Sequence, residues 1–344
     1  MRQLLSIFIA AIGIIVALDS SALATAEPSD FDYGILTPHL IGLGDGRKLN
    51  LRCVGSGAPT IVFEQGGDGL ITNWARVQPE ATRLSRTCFY DRAGFGYSDP
   101  PDKPVTAMSV TNDLHALLKR AGIRDRIILV GHSIGGFYAT MYVDRFPDQV
   151  AGLVLIEPAF SGQGTHLPPE RMLLEQGYTR QGEGTLVKCA ALARAGQLRA
   201  DSLKSNKCMT PPSWATAEMM PYILHGILRP AWFEAQHSQA VNFFSGDDKP
   251  SVSSQQEMDA SHAFGDLPVI VLIAEGWYSK PWRTVEEEAG ARDGMREGQK
   301  LLASRSSRGK WELIPKSFHY IQLDAPDAVI RAIKDVVAAA RKAP

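Results

Sequence analysis

Four apolar residues, Ile127 to Val130, run through Gly131-His132-Ser133-Ile134-Gly135 into a segment whose apolar positions keep helical spacing as far as Phe146. No other stretch constrains the fold so tightly. The run reads as a short buried strand, and the segment from Ile134 to Phe146, stopped by Pro147, reads as a helix. Ser133 stands on the hinge between them. Gly131 and Gly135, two residues to either side, mark a turn too sharp for side chains and strained in its backbone angles. Such a turn lifts the Ser133 hydroxyl clear of its surroundings. It also points the Ile134 N–H, at the helix start, toward any anion forming on a bound carbonyl. Gly-x-Ser-x-Gly alone recurs by accident; the strand before it and the helix after it give it meaning.

Other short apolar runs repeat the strand pattern: "KLNLRCVGSG", "PTIVFEQGGDG", "RTCFYDRAGFG", "GLVLIEP", "PVIVLIAE" and "KWELIP". Helical patterns fall between most of them, at Asn73 to Leu84, Val110 to Ala121 and Ile134 to Phe146, and an amphipathic stretch from Asp327 closes the chain. Unalternating apolar strands interleaved with helices predict a mostly parallel sheet covered on both faces. The regularity breaks once, between Glu157 and Pro268, where the chain runs far longer than one helix with two short connections requires. An inserted subdomain is expected there, rich in methionine and aromatic residues. Its apolar side chains serve as its own core or, placed above the carboxyl ends of parallel strands, as the roof of a binding crevice.

With 344 residues, 44% hydrophobic and 21% charged, the chain has the profile of a soluble globular protein of one large domain or two smaller ones. Its 36 basic and 37 acidic residues give a formal net charge of -1, which provides no pull toward nucleic acid or an anionic membrane. Arg2, the apolar run "LLSIFIAAIGIIVAL" and "ALATA" ending at Ala26 form a signal-peptide pattern, and the run stops at Asp19, short of the ~20 residues of a spanning helix. Residues 1–26 are therefore expected to be removed, leaving a secreted or periplasmic protein with no stable membrane insertion. Export gives Cys53, Cys88, Cys189 and Cys208 a compartment where disulfides persist, and four cysteines allow three pairings. Cys-x-x-Cys and His-Glu-x-x-His are both absent and the eight histidines are scattered, so neither a metal nor another cofactor is expected.

A serine hydroxyl attacks well at neutral pH only when a base takes its proton, and histidine alone has an ordinary pKa in that range. His319 lies in the loop "PKSFHYIQLD", after the strand Lys310 to Pro315 and before the last helix. His132, the neighbour of Ser133, points elsewhere in so tight a turn and reads as packing or pocket lining. His115 sits in a helical pattern, and His166, His225 and His237 fall in the insert, where surface or core roles are expected. A histidine base needs a carboxylate to hold its tautomer and steady its charge. Glu157 and Glu275 both end core strands, and either gives the chain order Ser, acid, His.

In "GHSIGG" at 131–136, "YDRAGFGYSDP" at 90–100, "FPDQVAGLVLIEP" at 146–158 and "FHYIQLDAPDAVIRAI" at 318–333, the sequence resembles the α/β-hydrolase superfamily over nearly all of the mature chain apart from the insert. The resemblance implies a mostly parallel eight-stranded sheet with helices on both faces and a helical cap after the sixth strand. The chain then divides into a signal peptide at 1–26, core at 27–160, cap at 161–262 and core again at 263–344. It implies Ser133 as nucleophile, His319 as base, and Asp91 and Arg92 as scaffold residues. The family's usual acid, an aspartate just beyond the strand that Glu275 ends, is replaced here by "GWYSK". Other members carry the acid after the preceding strand, so Glu157 is favoured and Glu275 kept as the alternative.

The resemblance also places the second oxyanion donor at the N–H of Gly67, partner to that of Ile134, with Gln65-Gly66 standing where many members have His-Gly. In the family's strand order Cys53 lies beside Cys88, and Cys189 and Cys208 share the insert, which implies these two pairs, with free buried thiols as the alternative for the first. The chemistry implied is acyl transfer to serine and hydrolysis of an ester in a small to medium, apolar substrate, with Trp232 and Phe233 of the cap shaping the pocket. Carbon-carbon, lactone, thioester and peptide hydrolysis share the same machinery. An aspartate at position 133 would have suggested epoxide or haloalkane substrates. A non-catalytic ligand-binding role is the alternative of a different class.

Overall fold

The computed structural model describes residues 30–163, 169–244, 250–276 and 284–342, with the backbone alone for 169–179. Expectations about residues 1–26 and His166 lie outside these. The strands are β1 (Leu40–Gly42), β2 (Lys48–Val54), β3 (Thr60–Glu64), β4 (Thr87–Tyr90), β5 (Ile127–His132), β6 (Val150–Ile156), β7 (Val269–Ala274) and β8 (Gly309–Ile314). They form one eight-stranded sheet in the order β1-β2-β4-β3-β5-β6-β7-β8, antiparallel at β1/β2 and β2/β4 and parallel elsewhere. Every residue of β3, β5 and β6 is buried, which is why these strands read as unbroken apolar runs.

The helices are α1 (Gln78–Leu84), α2 (Ala107–Arg120), α3 (Ile134–Arg145), α4 (Pro169–Arg194), α5 (Met220–Ile227), α6 (Pro230–Phe243), α7 (Val252–Ala260), α8 (Val285–Ser304), α9 (Ile321–Asp324) and α10 (Pro326–Arg341). Ile61, Phe63, Ile128 and Val130 face one side of the sheet, in a core shared with α1 and α10. Val62, Ile127 and Leu129 face the other, packed with residues of α2, α3 and α8. Each such side chain taken fully out of water contributes about 1.5–3 kcal/mol.

The eighth strand that the resemblance implies is β1, which the apolar runs did not mark because three residues alternating exposed and half-buried carry no apolar signal. Two helix starts are corrected. The helix expected from Asn73 begins at Gln78, after a separate 3-10 turn at Ile71–Trp74, with Pro79 in its first turn where no N–H is needed. The helix expected from Val110 begins at Ala107, where Thr106 and Ser109 cap one another reciprocally ahead of the apolar pattern.

Helices α4 to α7 occupy the long segment between β6 and β7. Leu186, Cys189, Leu203, Tyr222, Ile223, Trp232 and Phe233 belong to the same buried cluster as the sheet residues Phe63 and Val130, so the insert and the sheet share one core on that side. Cys53 is bonded to Cys88 across the β2/β4 register, and Cys189 to Cys208 within the insert. Among the described residues no helix is long and apolar enough to cross a membrane.

Candidate active site

At the end of β5 the backbone of Ser133 takes φ 55° and ψ -126°, a conformation that costs a non-glycine residue on the order of 1–3 kcal/mol. The surroundings hold it there. The Ser133 N–H donates to Ile156 O at 3.0 Å, and its carbonyl accepts from Gly136 and Ala159, each at 2.9 Å. A Cβ at Gly131 would lie 2.6 Å from Gly135 O, and one at Gly135 would lie 2.3 Å from Gln65 O. The two glycines thus do different work: Gly131 lets the turn close on itself, and Gly135 lets the start of α3 press against the loop that follows β3.

That contact brings the two expected oxyanion donors together. A Cβ at Gly66 would meet His132 Nδ1 at 2.7 Å and Ser133 Cβ at 3.7 Å, and one at Gly67 would meet Ile134 Cγ2 at 4.0 Å. Ile134 is the first residue of α3, where N–H groups have no partner within the helix. Gly67 and Ile134 are therefore neighbours, on the loop and the helix start that meet beside Ser133.

His319 Nε2 lies 3.0 Å from Ser133 Oγ, a hydrogen-bond distance across 186 positions of sequence. His132 supports it from below. Its Nε2 is 2.7 Å from His319 O and must carry the proton there, because a carbonyl only accepts. Burial together with the facing His319 holds the His132 pKa far below the ordinary histidine value, so this ring stays neutral. A second tie links the loops on either side of the serine: the Tyr320 hydroxyl donates to Asp68 Oδ2 at 3.2 Å, and Asn73 Nδ2 donates to the same oxygen at 2.8 Å. Burial pushes the Asp68 carboxyl up, against these bonds.

The two candidate acids sit in unlike surroundings. Glu157 follows β6 at φ 42°, is buried, and its Oε2 accepts the Ala274 N–H at 2.6 Å. Burial raises its pKa to about 7, against the lowering by the Ala274 N–H and by Gln299. Glu275 is exposed, and its Oε2 accepts the Lys316 N–H at 3.0 Å, which places it as a brace for the loop leading to His319.

Other expected positions also have clear surroundings. His115 stacks on Phe146 and bonds Gln149, and His225 stacks on Tyr97. Trp232 and Phe233 are both buried and pack edge to face, and Trp232 Nε1 donates to Asp68 O at 3.2 Å. Two residues without a site role in the sequence reading border the loop after β3. Arg92 donates to Gln65 O and Gly66 O, both at 2.6 Å, and Gln239 Nε2 donates to Gly67 O at 3.3 Å. No local pattern marks Gln239; only its place in a helix of the insert hints that it faces the core.

A family model described as the alpha/beta hydrolase fold matches residues 59–326. An uncharacterized vacuolar membrane protein of Saccharomyces cerevisiae is 33% identical over 103 residues, 29% of this chain and 16% of that one. The 2-hydroxy-6-oxo-2,4-heptadienoate hydrolase of Pseudomonas putida is 34% identical over 117 residues, 33% of this chain and 42% of that one. The chain thus spans less than half the length of either relative. Among solved structures, the haloalkane dehalogenase DatA from Agrobacterium tumefaciens superposes with a TM-score of 0.64 at 17% identity, covering 88% of this chain and 97% of that one, a likeness of fold.

Proposed function

The chain belongs to the alpha/beta hydrolase fold family, and from that premise we propose that it is an exported serine hydrolase cleaving an ester bond of a small to medium, apolar substrate. One observation carries the reading: Ser133, at φ 55°, holds its Oγ 3.0 Å from His319 Nε2. Nucleophile and base are in reach of one another at the head of a helix, and the N–H groups of Gly67 and Ile134 are the oxyanion donors of this reading.

Ser133 Oγ attacks the carbonyl carbon as His319 takes its proton. The electron pair of the C=O bond moves onto oxygen, and the N–H groups of Gly67 and Ile134 bind the oxyanion. Collapse breaks the bond to the leaving oxygen, which receives the proton from His319 and departs as an alcohol. Water, deprotonated by His319, then attacks the acyl-serine, and the acid and free Ser133 are released. Glu157 is the acid that steadies the imidazolium: it is buried on the strand next to that of Ser133, whereas Glu275 is exposed and engaged by Lys316. Cleavage after Ala26 and export to an oxidising compartment accord with the two disulfides.

The Pseudomonas putida relative favours one second reading, in which a ketone of a carbon-carbon substrate replaces the ester. Steady-state hydrolysis of p-nitrophenyl esters of increasing acyl length tests the first, with the chain from Glu27 onward and its Ser133→Ala variant. Turnover lost in a folded variant supports the serine mechanism. An inactive wild type that still reacts with a fluorophosphonate at Ser133 would retain the nucleophile and shift the substrate to a ketone; a wild type with neither property would sink the proposal.

A further inference from the structure

The peptide planes on both sides of Gly67 are held from behind, and only one of the two holders belongs to the sheet domain. The plane that carries the Gly67 N–H also carries Gly66 O, which Arg92 Nη2 grips at 2.6 Å. Arg92 is buried, paired with Glu64 at 2.7 Å, and its other terminal nitrogen holds Gln65 O at 2.6 Å. The next plane carries Gly67 O, held at 3.3 Å by Nε2 of Gln239, which comes from α6 in the insert. In a trans peptide the C=O and N–H point in opposite directions. Arg92 on Gly66 O therefore turns the Gly67 N–H away from itself, and Gln239 on Gly67 O does the same for the Asp68 N–H, so that Gly67 is held between two fixed planes.

A glycine between two peptide planes can rotate either of them at little cost, so Gly67 by itself does not keep its N–H aimed. The orientation of the Gln239 amide is settled by its neighbours. Oε1 faces two donors, Arg92 Nη2 and the Tyr138 hydroxyl, each at 3.4 Å, and this leaves Nε2 toward the carbonyl. Gln239 is buried, so an unmet amide there would be costly. It thereby joins three elements: the insert, the buried Arg92, and the donor loop.

Resting on the serine-hydrolase reading, we propose that Gln239 is a positioning residue through which helix α6 completes the oxyanion hole: it holds the plane that follows Gly67 while Arg92, itself met by Gln239 Oε1, holds the plane that carries the Gly67 N–H, so that Gly67 is fixed on both sides only when α6 is seated on the loop. Ground-state binding of an acyl group does not need this contact; stabilising the oxyanion does.

Two variants separate positioning from simple anchoring. Gln239→Glu keeps acceptors for Arg92 and Tyr138 but offers no donor to Gly67 O. Gln239→Met, of similar length, loses both sets of bonds. The readout is the reaction of Ser133 with a fluorophosphonate, whose phosphoryl oxygen occupies the oxyanion position. Saturation kinetics give the maximal rate and the half-saturating concentration separately, and p-nitrophenyl ester kcat/KM is measured alongside, with Tm as the control for folding.

The expected result is a maximal rate reduced about tenfold or more in both variants at an unchanged half-saturating concentration, with ester kcat/KM falling by the same factor. Gln239→Glu matching the wild type while Gln239→Met is slow would reduce Gln239 to an anchor for α6 and overturn the proposal, as would wild-type rates in both. A wild type unreactive toward the fluorophosphonate would overturn the serine-hydrolase reading itself, an outcome distinct from a reactive wild type with equally reactive variants.

Discussion

The Ser133 side of the candidate site and the insert side are built in opposite ways. On the Ser133 side, from β5 into α3, positions are set by the backbone: a φ of 55° at Ser133, two glycines that admit main chain at close range, and main-chain bonds to β6 and the segment after it. On the insert side, long side chains reach across. Trp232 holds Asp68 O, Gln239 holds Gly67 O, Arg229 holds Gly96 O and Ser98 O, and Tyr222 holds the Asp91 carboxylate. A backbone-built site resists displacement and fails abruptly when its geometry is denied. A site completed by side chains from a separate segment can lose one contact and lose only part of its efficiency.

The largest expected effect tests the first half of that contrast. Ser133→Ala should lower ester turnover about a millionfold, the order seen when a serine hydrolase loses its nucleophile. Tm should stay close to that of the wild type, because alanine adds no atoms at a half-buried position. Residual turnover within a hundredfold of the wild type would place the nucleophile elsewhere.

Next in size is the acid. Glu157→Gln should reduce kcat by about 10³ to 10⁴, the cost of a triad whose histidine has lost its carboxylate, while Glu275→Gln should change it by less than about tenfold. Reversed effects would make Glu275 the acid. The stability of Glu157 also has a definite sign. Its carboxyl, raised to about 7 in the folded chain from the ordinary 4.5, holds its proton more tightly folded than unfolded. The stability it contributes is therefore full below pH 4.5 and lost as pH rises through 7, by up to ~3 kcal/mol. Denaturant unfolding of Glu157→Gln should show that much less loss between pH 4.5 and 8. For activity the direction is opposite, because the proposed mechanism needs both His319 and Glu157 deprotonated. Ester kcat/KM should fall as pH drops below about 7, and a flat profile to pH 4 would exclude a histidine base.

The same contrast decides what could be read from sequence. The hinge at Ser133 was legible because everything that makes it is local: an apolar run, two glycines at fixed offsets, a helix start. His319 was legible by position alone, in a loop between a strand and the last helix, and in the fold it stands against Ser133. Gln239 gives no such signal, since its partners Gly67, Arg92 and Tyr138 are far away in the chain and its own helix has a weak apolar pattern. The glycines of "YDRAGFGYSDP" were legible as a loop but not for their reason. A Cβ at Gly94, φ +87°, would lie 2.5 Å from Ala235 Cβ, so this glycine admits α6 of the insert. The choice between Glu157 and Glu275 was open in the sequence because both end strands. The two differ in burial, which is a property of the assembled sheet and not of either local sequence.

A third test sharpens the comparison within a single loop. Gly66→Ala would put a Cβ 2.7 Å from His132 Nδ1, in a buried corner where the ring is fixed by its bond to His319 O. Ester kcat should drop about a hundredfold, through displacement of the donor loop and of His132 together. Gly67→Ala meets Gln239 Nε2 at 3.5 Å, an ordinary contact, and Gly67 is not at positive φ. Its kcat should stay within about tenfold of the wild type. Equal damage from both would mean that the loop is held by its flexibility and not by its packing.

The smallest effect on chemistry should come from the bond that ties the insert to itself. Cys189 and Cys208 close a loop of 19 positions, and removing such a link destabilises by ~3 kcal/mol in the chain-entropy account. The double variant Cys189→Ser with Cys208→Ser should therefore unfold at a lower temperature, and the loss should appear first in the insert by hydrogen exchange of α4. The Ser133 to His319 geometry lies wholly outside that loop, so fluorophosphonate labelling at 25 °C should persist at no less than about a third of the wild-type rate. A larger drop, with α4 still protected, would mean that the insert shapes the catalytic groups more directly than through Gln239. Cys53→Ser with Cys88→Ser is the matched control, because that bond joins adjacent strands of the sheet. It should cost ~4 kcal/mol in the same account and act on global unfolding. Local opening of the insert in one variant and global unfolding in the other would show that the two regions differ in cooperativity as they differ in construction.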